Sequence, residues 1–130
     1  MAEKQKTTIL LLDDETIVLN RLRPALEKLG YKVETFSRSA DAFERVKEKN
    51  FDIVITDLKM QGISGIEFLT RVKERSPETE IIVITGFATM ETAKESFQKG
   101  VFDFLAKPFK LGEIQEVVKK AEAKIMAGRS

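Results

Sequence analysis

Three short runs in this chain are apolar without a break: Ile9-Leu10-Leu11-Leu12, Ile53-Val54-Ile55 and Ile81-Ile82-Val83-Ile84. A strand with one face in water alternates apolar and polar residues, so an unbroken run needs cover on both faces. That requirement points to a parallel sheet sandwiched between helices. The strands are expected at Ile9–Leu12, Lys32–Phe36, Asp52–Thr56, Ile81–Thr85 and Phe102–Ala106.

The segments between the runs switch to helical spacing. Val18, Leu22, Leu26 and Leu29, with Ala25, form one stripe, closed by Gly30. Ala40, Phe43 and Val46 form a second. Ile66, Leu69 and Val72 form a third, opened by a capping box at Ser64-x-x-Glu67. Met90, Ala93 and Phe97 form a fourth, closed by Gly100, and Ile114, Val117, Val118, Ala121 and Ile125 form the last. Pro24 falls inside the first stripe, where it removes the bond to the Asn20 carbonyl and is expected to kink the helix. Strict alternation of strand and helix implies right-handed crossovers with helices on both faces. The expected fold is therefore α/β: a single doubly wound, five-stranded parallel sheet of flavodoxin-like order 2-1-3-4-5. One domain over residues 1–130, with its core at about 7–126 and frayed ends, is expected from this pattern.

Composition narrows the chemistry. The 22 Lys and Arg balance 21 Asp and Glu, which argues against direct nucleic-acid binding by this chain. No Cys and no His are present. That excludes disulfides, thiolate zinc sites, Ser-His-Asp catalysis, His-ligated metals and phosphohistidine chemistry on this chain. No apolar stretch has the length of a signal peptide or a membrane helix, so a cytoplasmic protein without membrane contact is expected.

Open parallel α/β sheets bind ligands beyond the carboxyl ends of their strands, at the switch in strand order. Asp13, Asp14 and Glu15 follow the first strand, Asp57 follows the third, Thr85-Gly86 ends the fourth, and Lys107-Pro108 follows the fifth. Taken singly, each residue has an ordinary reading. Asp14 suits an N-cap, Asp57 a turn, Thr85 a strand end, and Lys107 a solvated charge. Jointly they converge on one crevice. Neighbouring carboxylates repel unless a cation intervenes, and a hard cation with oxygen ligands, Mg2+, suits this donor set. An Asp beside Mg2+ is a nucleophile towards phosphorus and forms an acyl phosphate. Lys107 and the Thr85 hydroxyl are then available for the anionic oxygens of the transferred group.

The chain resembles the receiver domain of two-component response regulators over essentially its whole length. The resemblance rests on the pair Asp13-Asp14, on Asp57 within Ile55-Thr56-Asp57-Leu58-Lys59-Met60, on Gly65, on Thr85-Gly86 and on Lys107-Pro108-Phe109. The segments 85–89 and 100–105 are most similar to nitrogen-regulatory receivers, which control activators of alternative-sigma-factor transcription. The resemblance implies that Asp57 accepts a phosphoryl group from a sensor histidine kinase or phosphotransfer protein. It implies that Asp13, Asp14, Asp57 and the backbone carbonyl of Lys59 hold Mg2+, and that Lys107 contacts the phosphoryl group. The peptide before Pro108 is expected to be cis. Thr85 and Phe104 are the expected switch residues, signalling through the face of the fourth helix, fifth strand and fifth helix to an output domain or partner. A homodimer formed on activation remains open. So implied, the chain is a signalling phosphoacceptor that promotes its own phosphorylation and dephosphorylation, rather than an enzyme with a separate substrate.

Two departures bear on the site. Met60 is followed by Gln61 where the family usually has Pro, so the turn is expected to be looser, with Gly62 supplying the bend. Lys59 and Phe87 occupy positions that tune water access in the family. Lys59 reaching the phosphoryl group and Phe87 screening it would give a long-lived phosphoform. Three competing readings are a degenerate receiver acting only as an interaction module, a flavodoxin, and a small phosphatase. The first normally lacks one of the residues present here. The second needs a phosphate loop, where this chain has Asp13-Asp14-Glu15, and the third is normally a longer chain.

Overall fold

The computed structural model describes residues 6–59, 62 and 64–129. Among the described residues five strands alternate with five helices: β1 (Thr8–Leu12), α1 (Thr16–Glu27), β2 (Lys32–Phe36), α2 (Ser39–Glu48), β3 (Ile53–Thr56), α3 (Gly65–Arg75), β4 (Glu80–Thr85), α4 (Met90–Gln98), β5 (Asp103–Ala106) and α5 (Leu111–Gly128). All pairings are parallel, and the order is β2-β1-β3-β4-β5. This is the doubly wound α/β sheet expected from the alternation.

The unbroken apolar runs serve two separate cores. Ile9, Leu11, Ile53, Ile55, Ile82 and Ile84 face α1 and α5, meeting Leu22, Leu26, Ile114 and Val118. Leu10, Leu12, Val54, Ile81 and Val83 face the other way, towards Ala42 and Val46 of α2 and Phe68, Leu69 and Val72 of α3. Successive side chains of a strand point to opposite faces, so each residue of a run belongs to one core or the other. Full burial of a Leu, Ile or Val side chain is worth roughly 1.5–3 kcal/mol, which makes these runs the main stabilising element.

Register sets the site. Leu12 pairs with Thr56, so Asp13 and Asp57 leave the sheet side by side. The Asp57 N–H donates to the Leu12 carbonyl at 3.2 Å, extending the pairing by one residue. Thr85 pairs with Ala106, and the Lys107 N–H donates to the Thr85 carbonyl at 2.9 Å.

Several expectations differ in detail. Pro24 lies inside α1 as expected and does not end it: its carbonyl accepts from Lys28, and Asn20, which loses its donor, is exposed. Leu29 lies beyond α1 and is partly exposed, because Gly30, at φ 97°, ends the helix turn there. In α2 the buried position is Ala42, with Ala40 exposed. The stripe Met90, Ala93, Phe97 does not face the core: Met90 is 90% exposed and Phe97 49%. Ser96 is the one buried residue of α4, its hydroxyl donating back to the Thr92 carbonyl at 2.8 Å. α5 continues past residue 126 to Gly128, because Arg129 pairs with Asp52 at 2.7 Å and anchors its end. Residues 1–5, Met60 and Gln61 lie outside the described residues, so the expectations for the frayed start and for the turn at Gln61 lie there too. Gly62 does adopt the left-handed backbone, at φ 89°.

Candidate functional site

The acids and the lysine meet at the carboxyl end of the sheet. Carboxylate oxygens of Asp13, Asp14 and Asp57 all lie within 4.8 Å of one another. Asp13 and Asp57 are buried, while Asp14 is exposed to solvent. The Lys107 ammonium bridges them, 2.9 Å from Asp13 Oδ2 and 2.8 Å from Asp57 Oδ2, and it also pairs with Glu15. The Lys107–Pro108 peptide is cis. These groups border a cleft of about 480 Å³ lined by Asp14, Glu15, Asp57, Lys59, Gly86, Phe87, Lys107 and Pro108.

Each side chain is held by its neighbourhood. Asp57 Oδ1 accepts from the N–H groups of Leu58 at 2.6 Å and Lys59 at 3.3 Å. Asp13 Oδ1 accepts from the Glu15 N–H at 2.9 Å. The N-cap of α1 is Glu15, without a side-chain bond, so capping is not the role of Asp14. Gly65 begins α3 against the backbone of this turn. Any Cβ there would lie 2.1 Å from the Asp57 carbonyl oxygen and 2.4 Å from Leu58 Cα. The Ser64 hydroxyl accepts from the Glu67 N–H at 3.2 Å and so caps the same helix.

Electrostatics follow from burial and contact. Burial pushes the Asp13 carboxyl above its ordinary value, against the lowering effect of Lys107 and of the Glu15 N–H. Burial alone would disfavour the Lys107 ammonium, but hydrogen bonds to Asp57, Glu15 and Asp13 outweigh it and raise its pKa. Lys107 is therefore a fixed positive charge at the centre of the acids.

The donor set tests well against a hard divalent ion. It consists of oxygens only, and opposite ligands of an octahedral Mg2+ lie about 4.2 Å apart, comparable with the span of the three carboxylates. The Lys59 backbone places its N–H beside Asp57, and its carbonyl is the expected fourth protein ligand.

Thr85 and Phe104, the expected switch residues, sit differently from the acids. Thr85 is fully buried, and its hydroxyl accepts from the Phe87 N–H at 3.0 Å. Phe104 is partly buried and packs on the α2/α3 core. Lys59 and Phe87, expected to act separately, touch each other: the Lys59 ammonium lies 3.9 Å from the Phe87 ring centroid. In the sequence Glu15 is placed in the acidic run after the first strand but is given no role of its own. Its position in the acidic run was the only signal, and its partner Lys107 lies 92 residues away.

Residues 9–119 match the response regulator receiver domain. The transcriptional regulatory protein ZraR of Salmonella typhimurium is 36% identical over 118 residues, covering 91% of this chain and 27% of ZraR. The DNA-binding transcriptional regulator NtrC of Escherichia coli is 30% identical over 117 residues, covering 90% of this chain and 25% of NtrC. The chain thus spans about a quarter of the length of these relatives. Among solved structures, a receiver domain protein from Methanospirillum hungatei superposes with a TM-score of 0.92 at 24% identity, covering 95% of this chain and 99% of that one. The beryllofluoride-activated NtrC4 receiver domain dimer superposes with a TM-score of 0.85 at 32% identity, covering 91% and 98%. The matched segment reaches all five strands and ends within α5, and the chain belongs to the receiver domain family of two-component response regulators.

Proposed function

We propose that Asp57 is the phosphoacceptor of this receiver. The observation that carries this reading is the placement of Asp57: one oxygen on two backbone N–H groups, the other on Lys107, with Asp13 and Asp14 alongside. A lone pair of Asp57 Oδ2, the oxygen paired with Lys107, attacks the phosphorus of a phosphohistidine or of a small acyl phosphate. The P–N or P–O bond to the donor breaks, and an aspartyl phosphate forms. Asp13, Asp14, Asp57 and the Lys59 carbonyl are the groups that would hold Mg2+, which when bound neutralises phosphoryl oxygens. Lys107 pairs with another of those oxygens, and it needs no proton transfer to do so. Thr85 turns its hydroxyl from the Phe87 N–H towards the phosphoryl group. Phe104 then packs further inward, coupling the site to the α4–β5–α5 face. The same groups promote hydrolysis of the aspartyl phosphate, so the domain sets its own lifetime.

The phosphohistidine donor lies outside these 130 residues, in a histidine kinase or phosphotransfer protein, since they include no His. Output passes through α4, β5 and α5 to an attached domain or a partner, and the outward Met90 and Phe97 give that face its apolar contact. A solved relative is a beryllofluoride-activated dimer, which supports a homodimer of this chain on activation. No helix among the described residues is long and apolar enough to cross a membrane, in keeping with action in the cytoplasm. The test is chemical mapping. After acetyl phosphate and Mg2+, borohydride reduction should convert one aspartate to homoserine, and peptide sequencing should place it at Asp57. Homoserine at another position would refute the assignment.

A further inference from the structure

Phe87 links three parts of the molecule. Its ring carries the Lys59 ammonium at 3.9 Å, its N–H donates to Thr85 Oγ1 at 3.0 Å, and its carbonyl accepts from Thr92 Oγ1 at 2.7 Å. Thr92 in turn closes a reciprocal capping box with Thr89 at the start of α4. One residue therefore joins the loop after β3, the hydroxyl at the end of β4 and the first turn of α4. α4 is the least anchored helix, with a single buried residue against three or four in each of the others.

We propose that the Lys59–Phe87 stack is a latch that holds the β4–α4 loop in the unphosphorylated form and opens when the Lys59 ammonium transfers from the ring to a phosphoryl group on Asp57. The inference rests on Asp57 as phosphoacceptor. In the structure Asp57 has little to offer the Lys59 side chain: one oxygen takes the N–H groups of Leu58 and Lys59, the other takes Lys107. The ammonium settles on the neighbouring ring, and both residues line the Asp57 cleft. Phosphorylation adds about one negative charge and new acceptor oxygens in that cleft. A charge-assisted hydrogen bond to phosphate is stronger than a cation–π contact on a ring that is 49% exposed. When the ammonium moves, Phe87 loses its tie to the loop after β3, just as Thr85 is called away from its N–H. Both restraints on the first turn of α4 are then released by one event.

The test is NMR of the wild-type chain with carbon-13-labelled lysine. The Lys59 ε-CH2 signal is assigned by its loss in Lys59→Met. In the free protein the ring current should hold this signal upfield of the exposed lysines, and Phe87→Leu should remove the shift. With Mg2+ and beryllofluoride the wild-type signal should move to the exposed-lysine position. Phe87→Leu, which has no latch to open, should bind beryllofluoride about two- to five-fold more tightly. Fluorine-19 NMR of the same samples reports occupancy. A bound fluoride signal together with an unmoved Lys59 signal overturns the latch, as does the absence of an upfield shift in the free protein. The absence of any bound fluoride signal overturns the Asp57 reading itself.

Discussion

Gly65 supports the site by having no side chain. A Cβ at this position would lie 2.1 Å from the Asp57 carbonyl oxygen, 2.4 Å from Leu58 Cα and 2.9 Å from the Asp57 carbonyl carbon. Real Cβ contacts essentially never fall below 3.0 Å, so Gly65→Ala must move either the turn or α3 by about 0.9 Å. The obstructing atoms are backbone, with no flexible end to yield. α3 is pinned by Phe68, Leu69 and Val72 in the core, so the turn carrying Asp57 is the part that gives. Overpacking of this kind costs about 1–3 kcal/mol. A shift of that size also breaks the 2.6 Å bond from Leu58 N–H or the 2.8 Å contact with Lys107. Misplacing a reacting group by about 1 Å slows reaction by on the order of 100-fold. Urea denaturation should therefore show Gly65→Ala less stable by about 1–3 kcal/mol, and acetyl phosphate should label it about 10–100-fold more slowly than wild type. Gly112→Ala is the control. It lies in α5 with nothing within 4 Å of its Cβ, and should gain up to about 1 kcal/mol from helix propensity. Wild-type stability and labelling rate in Gly65→Ala would refute the steric argument.

Three further outcomes follow from the same geometry. Lys107→Ala leaves the buried Asp13 and Asp57 carboxylates without their cation, so thermal unfolding in EDTA should show a loss of about 2–4 kcal/mol, partly restored by Mg2+. Phe87 stands at the cleft beside Asp57, and Phe87→Ala should admit water and shorten the phosphoryl half-time several-fold; an unchanged half-time in a discharge assay would remove its screening role. Burial, with the Glu122 carboxylate beside it, pushes the Tyr31 hydroxyl from 10 up to about 12. Between those values the unfolded chain releases the proton and the folded chain keeps it, so wild-type stability falls as pH rises through that window. Tyr31→Phe should lose about 1–2 kcal/mol at neutral pH with its bond to Glu122, yet show a flatter urea midpoint from pH 10 to 12.

What was legible in the sequence was whatever the backbone period determines. Ile53-Val54-Ile55 can be unbroken only if both faces are covered, and the two cores divide its residues in that way. Because strands end level in a parallel sheet, Asp13, Asp57 and Lys107 could be brought together from the ends of their runs alone. Contacts made by long, rotatable side chains were not legible. Lys59 and Phe87 stack, and Glu15 reaches Lys107, through geometry that no spacing encodes. α4 misled for a different reason: Met90 and Phe97 have core-like character, but they face outward because the small Ser96 occupies the inner position. Gly65 could be matched to a family pattern, but its cause, the approach of α3 to the Asp57 carbonyl, needed coordinates.

The most direct measurement is intact mass after incubation with acetyl phosphate, in Mg2+ and in EDTA, on wild type and Asp57→Asn. The account predicts the gain of one phosphoryl group by wild type in Mg2+, and no gain in EDTA or in the variant. Equal labelling of Asp57→Asn, or no labelling of wild type under either condition, would contradict it.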